Sequence, residues 1–156
     1  MRRFVGGKRL SQGTAFAPIE ARAAARHGGA AAVEETLPRP EPAEVLAAVT
    51  DDRYLAAMAR QIFRSGFSWK VIEDRWPAFE LAFEGFDPAR LVMLPDERID
   101  ALMKDTRIVR NGPKIKSTLA NARYVWETSK AHGGFGRYIA GWPGENIVGL
   151  WDALKK

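Results

Sequence analysis

The sequence predicts an all-α protein, and three observations carry that prediction. Apolar residues recur at spacings of three and four, Gly and Pro punctuate these runs, and no stretch sustains the alternation of a half-buried strand. With 156 residues and 46% apolar composition, the chain is long enough for one sizeable core. The organisation read from composition is a basic leader over residues 1–14, an Ala-rich helical arm with a proline linker over residues 15–40, and a main helical domain over residues 41–156.

The elements follow in order. PIEARAAAR starts on Pro18, which suits the first turn of a helix, and runs into His27-Gly28-Gly29, a helical stop. A second Ala-rich helix spans about Ala30 to Leu37, and RPEPAE then reads as a linker. Thr50 is placed to cap a helix whose first turn carries Asp51 and Asp52, where the positive helix end favours acids. Tyr54, Leu55, Met58, Ala59, Ile62 and Phe63 give that helix its apolar stripe, and Gly66 ends it. Ser68 caps the next, in which Pro77 is expected to interrupt and restart the helix before Phe79 and Phe83 continue the buried face.

Asp87-Pro88 and Pro95-Asp96 each announce a short helix. A longer one begins near Pro113, with Ile115, Leu119, Ala122 and Trp126 on one face and Lys114, Lys116 and Arg123 elsewhere. ENIVGLWDALKK reads as a final helix, cut off in mid-pattern, which suggests a domain that continues beyond Lys156. Trp142-Pro143-Gly144 and Trp151 are expected in turn and core.

Charge narrows the function classes once it is located. Arg2, Arg3, Lys8 and Arg9 give the leader +4, so the other 142 residues, with 20 bases and 19 acids, are almost neutral. No apolar segment follows Arg2-Arg3, so no secretory signal is read, and no run approaches the roughly 18 apolar residues of a membrane span. Cysteine is absent, which removes disulfides and cysteine-based zinc sites, so a soluble cytoplasmic protein with no metal and no cofactor is expected. His27 and His132 read as surface or capping residues, and Asp51-Asp52 and Glu73-Asp74 as solvated or capping acids, since adjacent carboxylates point to different helix faces.

Two short segments stand out from this background. Between Lys104 and Lys116 lie five bases and one acid, gathered around Asn111-Gly112-Pro113 at a helix start. Free backbone N–H groups and side-chain cations together can grip a phosphate, although a solvated loop has the same composition. RSGFSWK, residues 64–70, is a helix-to-helix corner with Phe67 and Trp69 beside Gly66. Its aromatic residues serve either as core staples or as a platform for a base.

The blocks RSGFSWKVI, FEGFDPARL and DTRIVRNGPKIKSTLANAR, in that order from about Met58 to Trp126, resemble the bacterial 3-methyladenine DNA glycosylase I family. The resemblance implies a helical fold of the helix-hairpin-helix superfamily and duplex DNA with alkylated bases as partner. A damaged purine is flipped out of such a duplex and its N-glycosidic bond is hydrolysed. It also implies that Trp69 stacks on the flipped base, that Gly66 and Phe67 fill the gap left in the duplex, and that Arg110, Asn111, Lys114 and Lys116 position phosphates. Gln61 stands where the family carries a glutamate against the methylated base, and the family's zinc-binding Cys and His residues have no counterparts. On this resemblance the chain ends before the family's hairpin. A non-catalytic protein that recognises damaged or bent duplex, and a helical interaction module with no nucleic-acid role, are the other classes compatible with the residues.

Overall fold

The structure, a computed structural model, describes residues 16–37, 39 and 41–155. The expected leader, residues 1–14, lies outside the described residues, as do Pro38 and, in the expected linker, Pro40. All regular structure among the described residues is helical, and none of these helices is long and apolar enough to cross a membrane. The chain divides into two compact units, Met1–Pro40 and Glu41–Lys156.

The first unit holds α1 (Ala17–His27) and α2 (Ala30–Thr36), which pack on each other. Gly28 closes α1 in the left-handed region at φ 86°, where a side chain is disfavoured. Neither helix has a fully buried residue, as expected of an Ala-rich pair with few large apolar groups.

The second unit contains α3 (Ala43–Ala48), α4 (Asp51–Arg64), α5 (Trp69–Ala82), α6 (Pro88–Val92), α7 (Asp96–Lys104), α8 (Gly112–His132), α9 (Phe135–Ala140) and α10 (Ile147–Leu154). A 3-10 turn, Glu84–Phe86, links α5 to α6. Helix α8 is the central strut: α4, α6 and α9 all pack against it. Ile115, Thr118, Ala122 and Val125 form its buried face, and the Thr118 hydroxyl avoids an unmet polar burial by donating to the Lys114 carbonyl at 2.9 Å.

An aromatic stack fills the centre. Trp76 and Phe86 lie 5.3 Å apart and nearly parallel, Phe83 follows Phe86 at 5.3 Å, and Phe63 meets Phe79 edge-on at 4.6 Å. To bring Phe86 into that stack the chain takes three successive positive φ values, 53° at Glu84, 69° at Gly85 and 60° at Phe86. Two of these residues carry side chains, each at a cost of about 1–2 kcal/mol. Arg53 secures the turn: its guanidinium donates to both oxygens of Glu80 at 3.0 Å and to the Gly85 carbonyl at 2.9 Å. The Glu80 carboxylate in turn keeps Arg53 more firmly protonated than usual and accepts from the Trp76 indole N–H at 2.9 Å.

Four expectations are corrected. Helix α5 runs through Pro77 without a restart. Pro77 is exposed, so the bond it cannot make lies on the solvent side, and Trp76 and Phe79 hold both flanks in the core. Helix α3 begins at Ala43, inside the stretch expected as linker, and its anchors are tertiary: Tyr54 donates its hydroxyl to Leu46 O at 2.8 Å, and α3 packs on α9. Thr50 and Ser68 sit at the N-caps of α4 and α5 without a side-chain bond to the backbone, while Asp51 caps α9 by accepting from Phe135 N at 2.9 Å. Trp151 is not in the core but 62% exposed, because α10 turns Ile147, Val148 and Trp151 outward and does not pack closely against another helix.

Candidate nucleic-acid interface

The aromatic corner arises where α4 gives way to α5. Ser65 N still bonds to Gln61 O at 3.1 Å, Gly66 then takes φ 70°, and Phe67 N returns to Arg64 O at 3.1 Å. A left-handed glycine reverses the chain in a few atoms and throws the next side chains outward. Phe67 is 43% and Trp69 63% exposed, so neither serves as a core staple.

The basic turn is tied down from below. Ile108 and Ile115 are buried, and Asn111 caps α8 by accepting from Lys114 N at 3.1 Å. Arg107 grips Asp105 through Nε and Nη2, the latter at 2.8 Å. Hydrogen bonds from Arg107 hold the Asp105 carboxyl below its ordinary range, and the same pairing raises Arg107. One cation of the segment is therefore neutralised where it stands. Arg110 and Lys116 are exposed and make no hydrogen bond or ion pair among the described residues.

Lys114 joins the two segments. Its ammonium donates to Ser65 O at 2.5 Å and to Phe63 O at 3.1 Å, and lies 5.0 Å from the centre of the Phe67 ring. These carbonyls belong to the C-terminal end of α4, where unpaired oxygens and the helix dipole both favour a cation. The structure thus brings Ser65 and Phe67 of the corner beside the start of α8. Lys114 commits two of its three N–H donors to the corner, and the Asn111 side chain commits its oxygen to the helix cap.

Around Trp69 the structure adds Arg60 and Arg64, which the sequence pattern did not single out, and corrects Glu73, expected as a solvated or capping acid, to a partner of Arg64. Arg64 lays its guanidinium 5.0 Å from the centre of the Trp69 ring and donates to Glu73 Oε1 from Nη2 at 2.6 Å and from Nε at 3.0 Å. Arg60 approaches the same Glu73 oxygen at 3.8 Å while covering Trp76 at 4.3 Å, and its Nε is buried without a hydrogen-bond partner. The i,i+4 spacing of Trp69 and Glu73 on α5 was the available signal, but which basic residue bridges them depends on how α4 meets α5. Gln61 is exposed on α4, one turn before Arg64.

Two clefts lie elsewhere. One of about 750 Å³ is lined by Asp51, Asp52, Glu84, Asp87, Trp126 and Arg137, among others. Its four acids already have partners: Phe135 N, Arg53, Arg98 and the start of α6, respectively. The other, about 440 Å³, adjoins Leu81, Arg98, Lys104 and Arg107. Gln61 and Trp69 border neither. Among the described residues no group of three or more His, Cys, Asp and Glu side chains is arranged to hold a metal, and His27 and His132 are both exposed.

Comparison with known proteins sets this arrangement in a family. The sequence model described as methyladenine glycosylase matches residues 46–155. DNA-3-methyladenine glycosylase 1 of Escherichia coli (strain K12) is 28% identical over 60 residues, which are 38% of this chain and 32% of that protein. The DNA-3-methyladenine glycosylase of Haemophilus influenzae is 25% identical over 76 residues, 49% of this chain and 41% of its own length. This chain therefore covers about a third to two fifths of these curated relatives. Among solved structures, the 3-methyladenine DNA glycosylase I of Staphylococcus aureus superposes with a TM-score of 0.54 at 24% identity, over 58% of this chain and 48% of its own. A further 3-methyladenine DNA glycosylase I gives 0.52 at 19% identity, over 67% and 62%, and these two likenesses establish the all-α fold. Since the family model spans well over half of the sequence and takes in both the aromatic corner and the basic turn, the chain belongs to the methyladenine glycosylase family.

Proposed function

We propose that this protein is a base-excision DNA glycosylase of the 3-methyladenine type, acting on duplex DNA that carries alkylated purines. The observation that carries the reading is the Lys114 clamp, which joins an exposed aromatic corner and a basic turn into one surface within a chain of this family. Trp69 stacks on the flipped base and Gln61 hydrogen-bonds to its edge, as an amide can with either donor or acceptor. Phe67, outward at the corner, enters the gap in the duplex, and Gly66 lets the backbone come close to it.

Arg110 and Lys116 meet phosphates, with the backbone N–H groups of the α8 start beside Asn111. Lys114 acts through the corner it holds. Adenine methylated at N3 is a cation while attached to the sugar, so its glycosidic bond is already weakened and the base departs neutral when water attacks the sugar carbon. Selection then does much of the work: an aromatic face favours a cationic over a neutral base by roughly 0.5–2 kcal/mol when water is excluded, and a damaged base resists flipping less than a paired one.

Incubation of the purified chain with alkylated duplex DNA tests the reading. Release of free 3-methyladenine is expected. Duplex binding with no base released would instead identify a non-catalytic reader of damaged or bent DNA, and the absence of salt-dependent duplex binding would remove the nucleic-acid role altogether.

A further inference from the structure

Gln61 is neutral, so the side chain at the family's glutamate position cannot offset the charge of a cationic base. The structure contains a carboxylate that can. Glu73 follows Trp69 by one helical turn, and its Oε1 is one hydrogen bond from the cation resting on the indole. That cation is the chain's own Arg64, 5.0 Å from the centre of the Trp69 ring. A guanidinium is flat, delocalised and positively charged with N–H groups at its edge, and so is an adenine methylated at N3 while it is still attached to the sugar. Trp69 and Glu73 therefore already hold a planar cation between an aromatic face and a carboxylate, the pair of groups that such a base requires.

We propose that Glu73 is the residue that receives the positive charge of the flipped base, and that Arg64 occupies the base's place until DNA arrives. This rests on the reading that Trp69 is the stacking platform. Arg64 is well placed to yield: it sits in the last turn of α4, beside the corner that faces DNA, and a phosphate can replace Glu73 as its partner. Arg60 remains near Glu73 but is held over Trp76, so the carboxylate is not left bare in the interval. The glutamate function has in this chain moved from α4 to α5, and the substrate competes with a resident arginine.

The two halves of the proposal predict opposite signs for neighbouring substitutions, which separates them from general damage. The probes are an adenine methylated at both N3 and N9, a stable planar cation, and an adenine methylated at N9 alone, its neutral counterpart. Binding is followed by quenching of tryptophan emission at fixed ionic strength, with Trp69→Leu to identify the part due to Trp69. Arg64→Gln removes the competitor and should tighten the cation on the order of tenfold while changing the neutral base little. Glu73→Gln should weaken the cation by a similar factor and again spare the neutral base, and Gln61→Glu in the Glu73→Gln background should restore much of the loss. Cation binding that is unchanged or weakened by Arg64→Gln, or a Glu73→Gln effect equal for both probes, overturns the proposal. If neither probe quenches Trp69 in any of these proteins, the stacking platform itself is wrong, and this inference falls with it.

Discussion

The ammonium of Lys114 stands 2.5 Å from the carbonyl oxygen of Ser65, so a side chain in the first turn of α8 closes the end of α4, half a hundred residues earlier in the chain. Its second bond, to Phe63 O, and its approach to the Phe67 ring make it the point at which corner and turn become one surface.

Lys114→Met keeps the length of the stem and removes both bonds. A loss of about 1–3 kcal/mol in unfolding free energy is expected, the range for hydrogen bonds to a charged group, with water taking up part of the deficit. Urea denaturation measures it, and a midpoint equal to that of the unaltered chain would show that the clamp contributes nothing.

Arg110→Ala and Lys116→Ala should each flatten the dependence of log binding constant on log salt by about one unit, equally on every duplex sequence. Lys114→Met should leave that slope alone even where it weakens binding, because its charge already faces two carbonyls. Fluorescence titrations across a salt series distinguish the two patterns. A slope lost with Lys114 but not with Arg110 or Lys116 reverses the assignment.

Arg53→Met leaves Glu80 and the Gly85 carbonyl without their shared donor, beside a turn that holds two non-glycine residues at positive φ. Destabilisation of about 1–2 kcal/mol is expected, discounted for the partial exposure of the guanidinium. Limited proteolysis adds a local readout, since cleavage near residues 84–87 should accelerate more than cleavage elsewhere.

Gly136→Ala is expected to be among the more costly single-methyl changes in this unit. A Cβ there falls 2.6 Å from Leu46 O and 2.8 Å from Val49 O, both backbone atoms that cannot swing aside. Separating α9 from the end of α3 should cost about 1–3 kcal/mol, as overpacking of a closed interior does. A thermal midpoint unmoved by this substitution is incompatible with the close approach.

Asp105 supplies a pH signature. Its pKa is lowered by Arg107 from an ordinary 3.8, so the pair's stabilisation is fully present above that value and is lost as pH falls through the lower folded-state value. Stability measured from pH 6 downward should therefore fall less steeply below about pH 4 in Asp105→Asn than in the unaltered chain. Identical slopes would mean that the pair does not contribute. The same substitution frees Arg107, and at neutral pH it should steepen the salt dependence of duplex binding.

Much of the helical architecture was legible because periodicity and punctuation are local. The stripe of α4, the stops at Gly28 and Gly66, and the Asp87 cap, which accepts from Ala89 N and Arg90 N, all depend on residues within one or two turns of each other. Pro77 and α3 escaped for the opposite reason. Proline discourages a helix locally, yet Trp76 and Phe79 anchor α5 on both sides of it, and the six residues of α3 carry too little pattern to announce a helix without Tyr54 and α9 to pack against.

By itself the sequence determined that the chain is helical, that its surplus positive charge outside the leader gathers around Asn111, and that glycine and aromatic residues coincide at residues 66–69. The tertiary structure alone decided that the corner and the turn meet, and that Lys114 and Arg107 are already engaged while Arg110 and Lys116 have no partner among the described residues. It also decided that Arg64 bridges the Glu73 carboxylate and the Trp69 ring. The physical reason is distance along the chain: a charge has a sign wherever it occurs, but what it does depends on the partner that folding brings within hydrogen-bonding reach, and the two carbonyls that meet Lys114 lie 49 and 51 positions away.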